Sequence, residues 1–181
     1  MTDHLDEFFM RGLLPTAPIK AEHSIAVASA DVWAVVSEAG HLANVHPFCE
    51  SNDVDAWPGP EGRDHVRYYS GVHYQRDVLD WTDGAGFDLA LGPPSGKIAI
   101  ARWSIDPNGP DRCRLTIEVT SFVRDDVSPE TRLRYESEVI NGAIPPYLDS
   151  VVRGVGHYSE TGTPVVRNQF GSHDIYSPAT G

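Results

Sequence analysis

From residue 50 to residue 123 the chain runs through strand-length segments closed by turn-forming residues, then gives way to a helical pattern lasting to Val155. Residues 50–57 lead into Pro58-Gly59-Pro60-Glu61-Gly62, and residues 63–70 and 72–81 flank Gly71 as a hairpin would. Asp83-Gly84 precedes the alternating Phe87, Leu89 and Leu91, and Pro93, Pro94 and Gly96 interrupt the chain again. Residues 97–105 carry Ile98 and Ile100 on one face and Trp103 and Ile105 on the other, before the turn Asp106-Pro107-Asn108-Gly109. The last strand alternates most cleanly: Leu115, Ile117, Val119, Ser121 and Val123 oppose Thr116, Glu118, Thr120 and Phe122. That rhythm belongs to an antiparallel meander with one buried side.

Ser128 and Pro129 suit the cap and first position of a long helix. Leu133, Ile140, Ile144, Leu148, Val151 and Val155 hold one helical phase, although Pro145-Pro146 falls among them. A proline inside a regular helix removes a donor and crowds the carbonyl four residues back, at about 3 kcal/mol. The pattern therefore predicts a kink or a one-turn break, with both halves packed on the same sheet.

Ahead of the meander, residues 20–27 alternate as a strand. Ser29 is a candidate N-cap, with Asp31 in the first turn and Val32, Trp33, Val35 and Val36 facing inward; Gly40 ends this helix and 41–45 reads as a second short turn. Leu5, Phe8, Phe9 and Leu13 predict an amphipathic helix over 3–14, stopped by Gly12 and Pro15. The division expected is an N-terminal amphipathic segment (1–18), one domain (19–158) and an irregular tail (159–181) whose aromatics lie partly on the domain.

A length of 181 residues with 40% hydrophobic residues suffices for one sizeable core. Fourteen Lys and Arg against 26 acids give a net charge of -12, which argues against nucleic acid and anionic membrane surfaces as partners. No segment approaches a membrane span, and the acidic start lacks a secretory signal, so the chain reads as cytoplasmic. Cys49 and Cys113 form no metal-type or redox spacing and read as buried thiols.

The element order (strand, two short helices, six strands, long helix) resembles the helix-grip arrangement, an α+β fold in which a seven-stranded antiparallel sheet wraps the C-terminal helix. The opening 24–33, with Ala28, Val32 and Trp33, resembles the "A-x-x-x-V-W" start of the SRPBCC superfamily, which includes START, Bet v 1-like and polyketide cyclase/dehydrase-like proteins. Gly40, His46-Pro47 and Arg76-Asp77-Val78 fit the same pattern, and the likeness covers about 20–158. It implies a cavity between sheet and helix for a hydrophobic or amphipathic ligand, and no particular reaction.

In such a fold, His46, Phe48, Arg67, Tyr69, Tyr74, Trp103 and Tyr147 are candidate ligand-binding residues, a mainly apolar set with a few polar groups. His65, Arg67 and Tyr69 share one strand face. Inward, Arg67 would clamp a carboxylate or enolate; outward, which the neighbours favour, they form a solvated face. His46 at the cavity rim is either a general base or a hydrogen-bonded loop histidine. No metal-site spacing, nucleophile loop, phosphate loop or dinucleotide fingerprint is present, so neither a metal nor a cofactor is expected. Small-molecule binding leads this reading. A cyclase/dehydrase-like enzyme in the same cavity, or an interaction module built on Leu5, Phe8 and Phe9, are the alternatives. Ligand identity and oligomeric state are not encoded legibly.

Overall fold

The structure, a computed structural model, describes residues 2–179, with side chains from Leu5 onward. Its elements are α1 (Thr2–Met10), β1 (Leu13–Pro15), β2 (Ile19–Ile25), α2 (Ser29–Val36), α3 (Leu42–Val45) and β3 (Cys49–Ala56). They continue as β4 (Arg63–Tyr68), β5 (His73–Thr82), β6 (Gly86–Gly92), β7 (Ala99–Pro107), β8 (Cys113–Arg124), α4 (Pro129–Tyr135), a π-helical stretch (Glu136–Ala143) and α5 (Ile144–Thr161). The sheet is antiparallel in the order β1-β8-β7-β6-β5-β4-β3, and β2 also pairs with β8. This is the α+β helix-grip fold, with α5 lying across the sheet's inner face.

The sheet gains a strand over the seven expected because Leu13 leaves the N-terminal helix. α1 stops at Met10, Gly12 takes a positive φ of 66°, and Leu13–Pro15 then pairs with Phe122–Arg124. β1 and β2 thus run along successive halves of the same long neighbour, separated at Ala17-Pro18. Phe8 is buried by stacking on Phe122, centroids 4.0 Å apart, so α1 docks on the sheet's outer face.

α2 starts one residue earlier than the sequence suggests. Ala28 occupies the cap position without a side-chain bond, and Ser29 is the first helical residue. Ser128 does cap α4, accepting from the Thr131 N–H at 3.1 Å. Trp33 is half-buried and packs on Trp81 and Phe87.

The prolines act upstream of themselves. Pro145 and Pro146 open α5, and the eight residues before Ile144 wind as a π-helix, in which each N–H reaches five residues back, as Ile144 does to Val139. The wider winding turns less per residue, so the apolar phase slips across it. Ile140, Ile144, Leu148, Val151 and Val155 remain buried, but Leu133, expected in the same stripe, is 68% exposed. Among the described residues no helix is long and apolar enough to cross a membrane.

Candidate functional site

The sheet register assembles the inner wall. Around the β4–β5 hairpin, Asp64 stands opposite Arg76 and Val66 opposite Tyr74, while Leu89 faces Ala101 and Trp103 faces Ile117 across the neighbouring strands. Period-two alternation sends Asp64, Val66 and Tyr68 inward and Arg63, His65 and Arg67 outward. The core therefore contains one ion pair: Arg76 Nε donates to Asp64 Oδ1 at 2.7 Å, and Nη2 donates to Oδ2. Asn52 Nδ2 donates to Asp64 Oδ2 at 2.9 Å. Burial works against both charges, yet the mutual attraction keeps the Asp64 carboxyl below its ordinary range and the guanidinium above its own.

His46 follows α3, where Gly154 of α5 lets that backbone come close; a Cβ there would overlap the Val45 carbonyl. Its Nδ1 accepts the Phe48 N–H at 3.2 Å, so the ring proton resides on Nε2. That Nε2–H donates to Tyr147 Oη at 2.9 Å, and Tyr147 Oη lies 2.8 Å from Tyr68 Oη. Burial first, then the Arg76 charge, push His46 down to about 3. His46 is thus held neutral near pH 7, with Nε2–H as a donor and Nδ1 occupied by a backbone N–H. Burial raises the pKa values of Tyr68 and Tyr147, so both phenols stay protonated.

Two adjoining pockets, an inner and an outer lobe, lie between this wall and α5. The inner, about 50 Å³, is bounded by Leu42, His46, Tyr68, Arg76, Trp103 and Tyr147 among others. The outer, about 270 Å³, is bounded by Tyr74, Ala99, Ser121, Tyr135, Ile144 and Tyr176, and shares Tyr68, Leu91, Val119 and Tyr147 with the first.

The segment after α5 forms the remaining wall. Val165 N–H donates to the Asn44 carbonyl, Asn168 N–H to that of Pro47, and Ser70 N–H to that of Tyr176. His173 Nε2 donates to the Ala143 carbonyl at 3.0 Å, just before the prolines. These bonds hold the buried Tyr176 ring against Tyr68 (4.5 Å) and Tyr147 (4.8 Å).

Of the seven candidate residues, His46, Tyr74, Trp103 and Tyr147 line the lobes. Phe48 lies just behind, its ring 5.8 Å from those of His46 and Tyr147. Arg67 is exposed on the outer side, beside His73, and Tyr69 lies under the Arg167 guanidinium at 4.6 Å. Sequence reasoning missed Tyr68, Arg76, Asp64, His173 and Tyr176. Counting the hairpin outward from Gly71 would set position 76 opposite 66, whereas the observed register sets it opposite 64, so the turn residue gave no correct signal for the ion pair, and nothing announced the tail.

A larger groove, about 570 Å³, lies on the opposite face beside Leu5, Pro15 and Phe122. Its polar wall includes the exposed Arg102, bonded to Asp88. Both cysteines are free and buried, and burial lifts Cys49 to about 12, which makes it a poor nucleophile. Among the described residues no three His, Cys, Asp or Glu side chains gather as a metal site would require.

Residues 16–160 match the family described as polyketide cyclase / dehydrase and lipid transport. The chain belongs to that family. The match ends at the last turn of α5, so the tail lies outside it. Among solved structures, the fold is similar to an uncharacterized protein from Bacillus thuringiensis, with TM-score 0.58 and 11% identity over 79% of this chain and 98% of that one. It is similar to truncated norcoclaurine synthase from Thalictrum flavum at TM-score 0.57, with 15% identity over 78% and 94%. The di-domain ARO/CYC BexL gives TM-score 0.62 and 9% identity over 80% of this chain but 48% of that one. No curated protein matches the sequence.

Proposed function

We propose that this polyketide cyclase / dehydrase and lipid transport family member binds a small hydrophobic or amphipathic molecule between the inner sheet face and α5. The observation that carries the reading is the pair of adjoining lobes, walled mainly by apolar and phenolic side chains. Their size suits a ligand of one or two fused rings, since drug-sized pockets begin near ~300 Å³. Binding is preferred over catalysis because the histidine on the wall is neutral and fully committed to hydrogen bonds, leaving no base poised near pH 7. An interaction module centred on Leu5, Phe8 and Phe9 is less well supported, because Phe8 is consumed in docking α1 on its own sheet.

Native mass spectrometry of protein purified from its own host, with denaturing extraction of the same sample, tests the proposal. A stoichiometric small molecule that co-purifies and is released on denaturation is the expected outcome. Protein that arrives empty and takes up no member of a panel of small aromatic and aliphatic compounds would refute it.

A further inference from the structure

The hydrogen-bond count around His46 does not close. Three hydrogens enter this chain: Nε2–H of His46, whose tautomer is set by the Phe48 N–H on Nδ1, and the two phenolic O–H groups of Tyr147 and Tyr68. Only two bonds join the three side chains, His46 to Tyr147 and Tyr147 with Tyr68. Whichever way the phenols point, one O–H proton is left over, because His46 already fills one acceptor position on Tyr147. Neither phenol has another hydrogen-bond partner among the described residues, and both line the inner and the outer lobe.

The buried carboxylate of the same wall is taken as well. Asp64 spends its carboxylate on Arg76 and Asn52, and cannot receive the spare proton. Arg76, paired with Asp64, also borders the inner lobe. A buried donor without an acceptor is costly, and the cavity discriminates against an occupant that leaves it so.

We infer that the phenol pair Tyr68–Tyr147 selects ligands carrying an acceptor oxygen, a ketone, aldehyde or enolate, and donates one hydrogen bond to it. This rests on the cavity-binding proposal and names the chemistry that site reads. The ring carrying the carbonyl lies in the outer lobe among Tyr74, Tyr135 and Tyr176, with its oxygen turned toward the inner one.

Two probes of the same shape test it: 2-acetylnaphthalene, which has the carbonyl, and 2-ethylnaphthalene, which lacks it. The spare proton survives either single change, since Tyr68→Phe frees the Tyr147 O–H and Tyr147→Phe frees the Tyr68 O–H. Every donor of the chain disappears only when His46 is replaced as well, because without the Tyr147 oxygen the His46 Nε2–H is itself left unpaired beside the inner lobe. The ratio of the two dissociation constants is therefore expected to favour the ketone alike in wild type and both single variants. In His46→Leu/Tyr68→Phe/Tyr147→Phe that preference falls about tenfold, the value of one net hydrogen bond. The infrared carbonyl stretch of the bound ketone supplies a readout that needs no variant: it falls below its frequency in cyclohexane. If both probes bind wild type and the stretch stays at the cyclohexane value, the inference is overturned while the cavity stands. If neither binds, the cavity proposal falls and this inference with it.

Discussion

At the scale of single residues, Asp64 and Arg76 face each other across β4 and β5, buried and bonded at both ends of the fork. Removing one partner of such a pair leaves an uncompensated charge in the core, which costs about 3–5 kcal/mol, whereas replacing both with apolar groups costs far less. Arg76→Met is expected to lose that much in a denaturant titration, and Asp64→Leu/Arg76→Met to recover most of it. Equal losses would mean that the pair is not what holds this wall. His41 and His46 give a second prediction, through pH. Burial depresses both from 6.5 to about 3, so the folded state holds fewer protons than the unfolded chain between those values. Their stabilisation is complete above pH 6.5 and falls as pH drops below it; at pH 5 the loss is about 2 kcal/mol per histidine, set by the unfolded value alone. Stability profiles of wild type and His46→Gln should therefore converge by about 2 kcal/mol between pH 8 and pH 5; parallel profiles would place His46 in contact with water. In the sequence, His46, Tyr74, Trp103 and Tyr147 could be named as candidates because the helix-grip resemblance implies a cavity between the concave sheet face, the loop after the second short helix and the C-terminal helix. Arg67 and Tyr69 were not settled because Val66 alone had to fix the phase, and β4 ends at Tyr68, before the alternation could reach Tyr69.

At the scale of elements, α5 is what the site depends on. Gly154 allows the His46 segment to touch it, so Gly154→Ala is expected to destabilise the protein by about 2 kcal/mol or more, although alanine is the better helix former by roughly 1 kcal/mol. A stabilised variant would show that the close approach to Val45 is absent. Leu133 lies beyond the π-helical stretch and faces solvent, so Leu133→Ser should change stability by no more than about 0.5 kcal/mol. A loss near 3 kcal/mol would restore the uninterrupted apolar stripe that the sequence suggests. The proline pair was legible as a break. Its expression as π winding before the prolines was not, because propensity locates the lost donors but not how neighbouring turns absorb the loss. The extra strand β1 was hidden similarly: three residues carry too little alternation to compete with the helical spacing of Leu5, Phe8 and Leu13.

At the scale of the whole molecule, strand rhythm and one long apolar helix phase sufficed to read the architecture, because each strand alternates and every turn carries Gly, Pro or Asp. The tail could not be read that way. It is held by backbone bonds to Asn44, Pro47 and Ser70 and by His173 on Ala143, none of which leaves a periodic trace. On the binding proposal, the ligand sits between sheet and α5, under the tail, and not in the larger groove outside. Titration of 2-acetylnaphthalene into wild type, Ala99→Phe and Ile100→Ser measures this most directly, since neighbouring residues of β7 face the outer lobe and the outside groove respectively. Ala99→Phe, which fills the lobe, is expected to abolish binding while the folded state persists, and Ile100→Ser to bind as wild type does. Binding that survives Ala99→Phe and is lost in Ile100→Ser would contradict it.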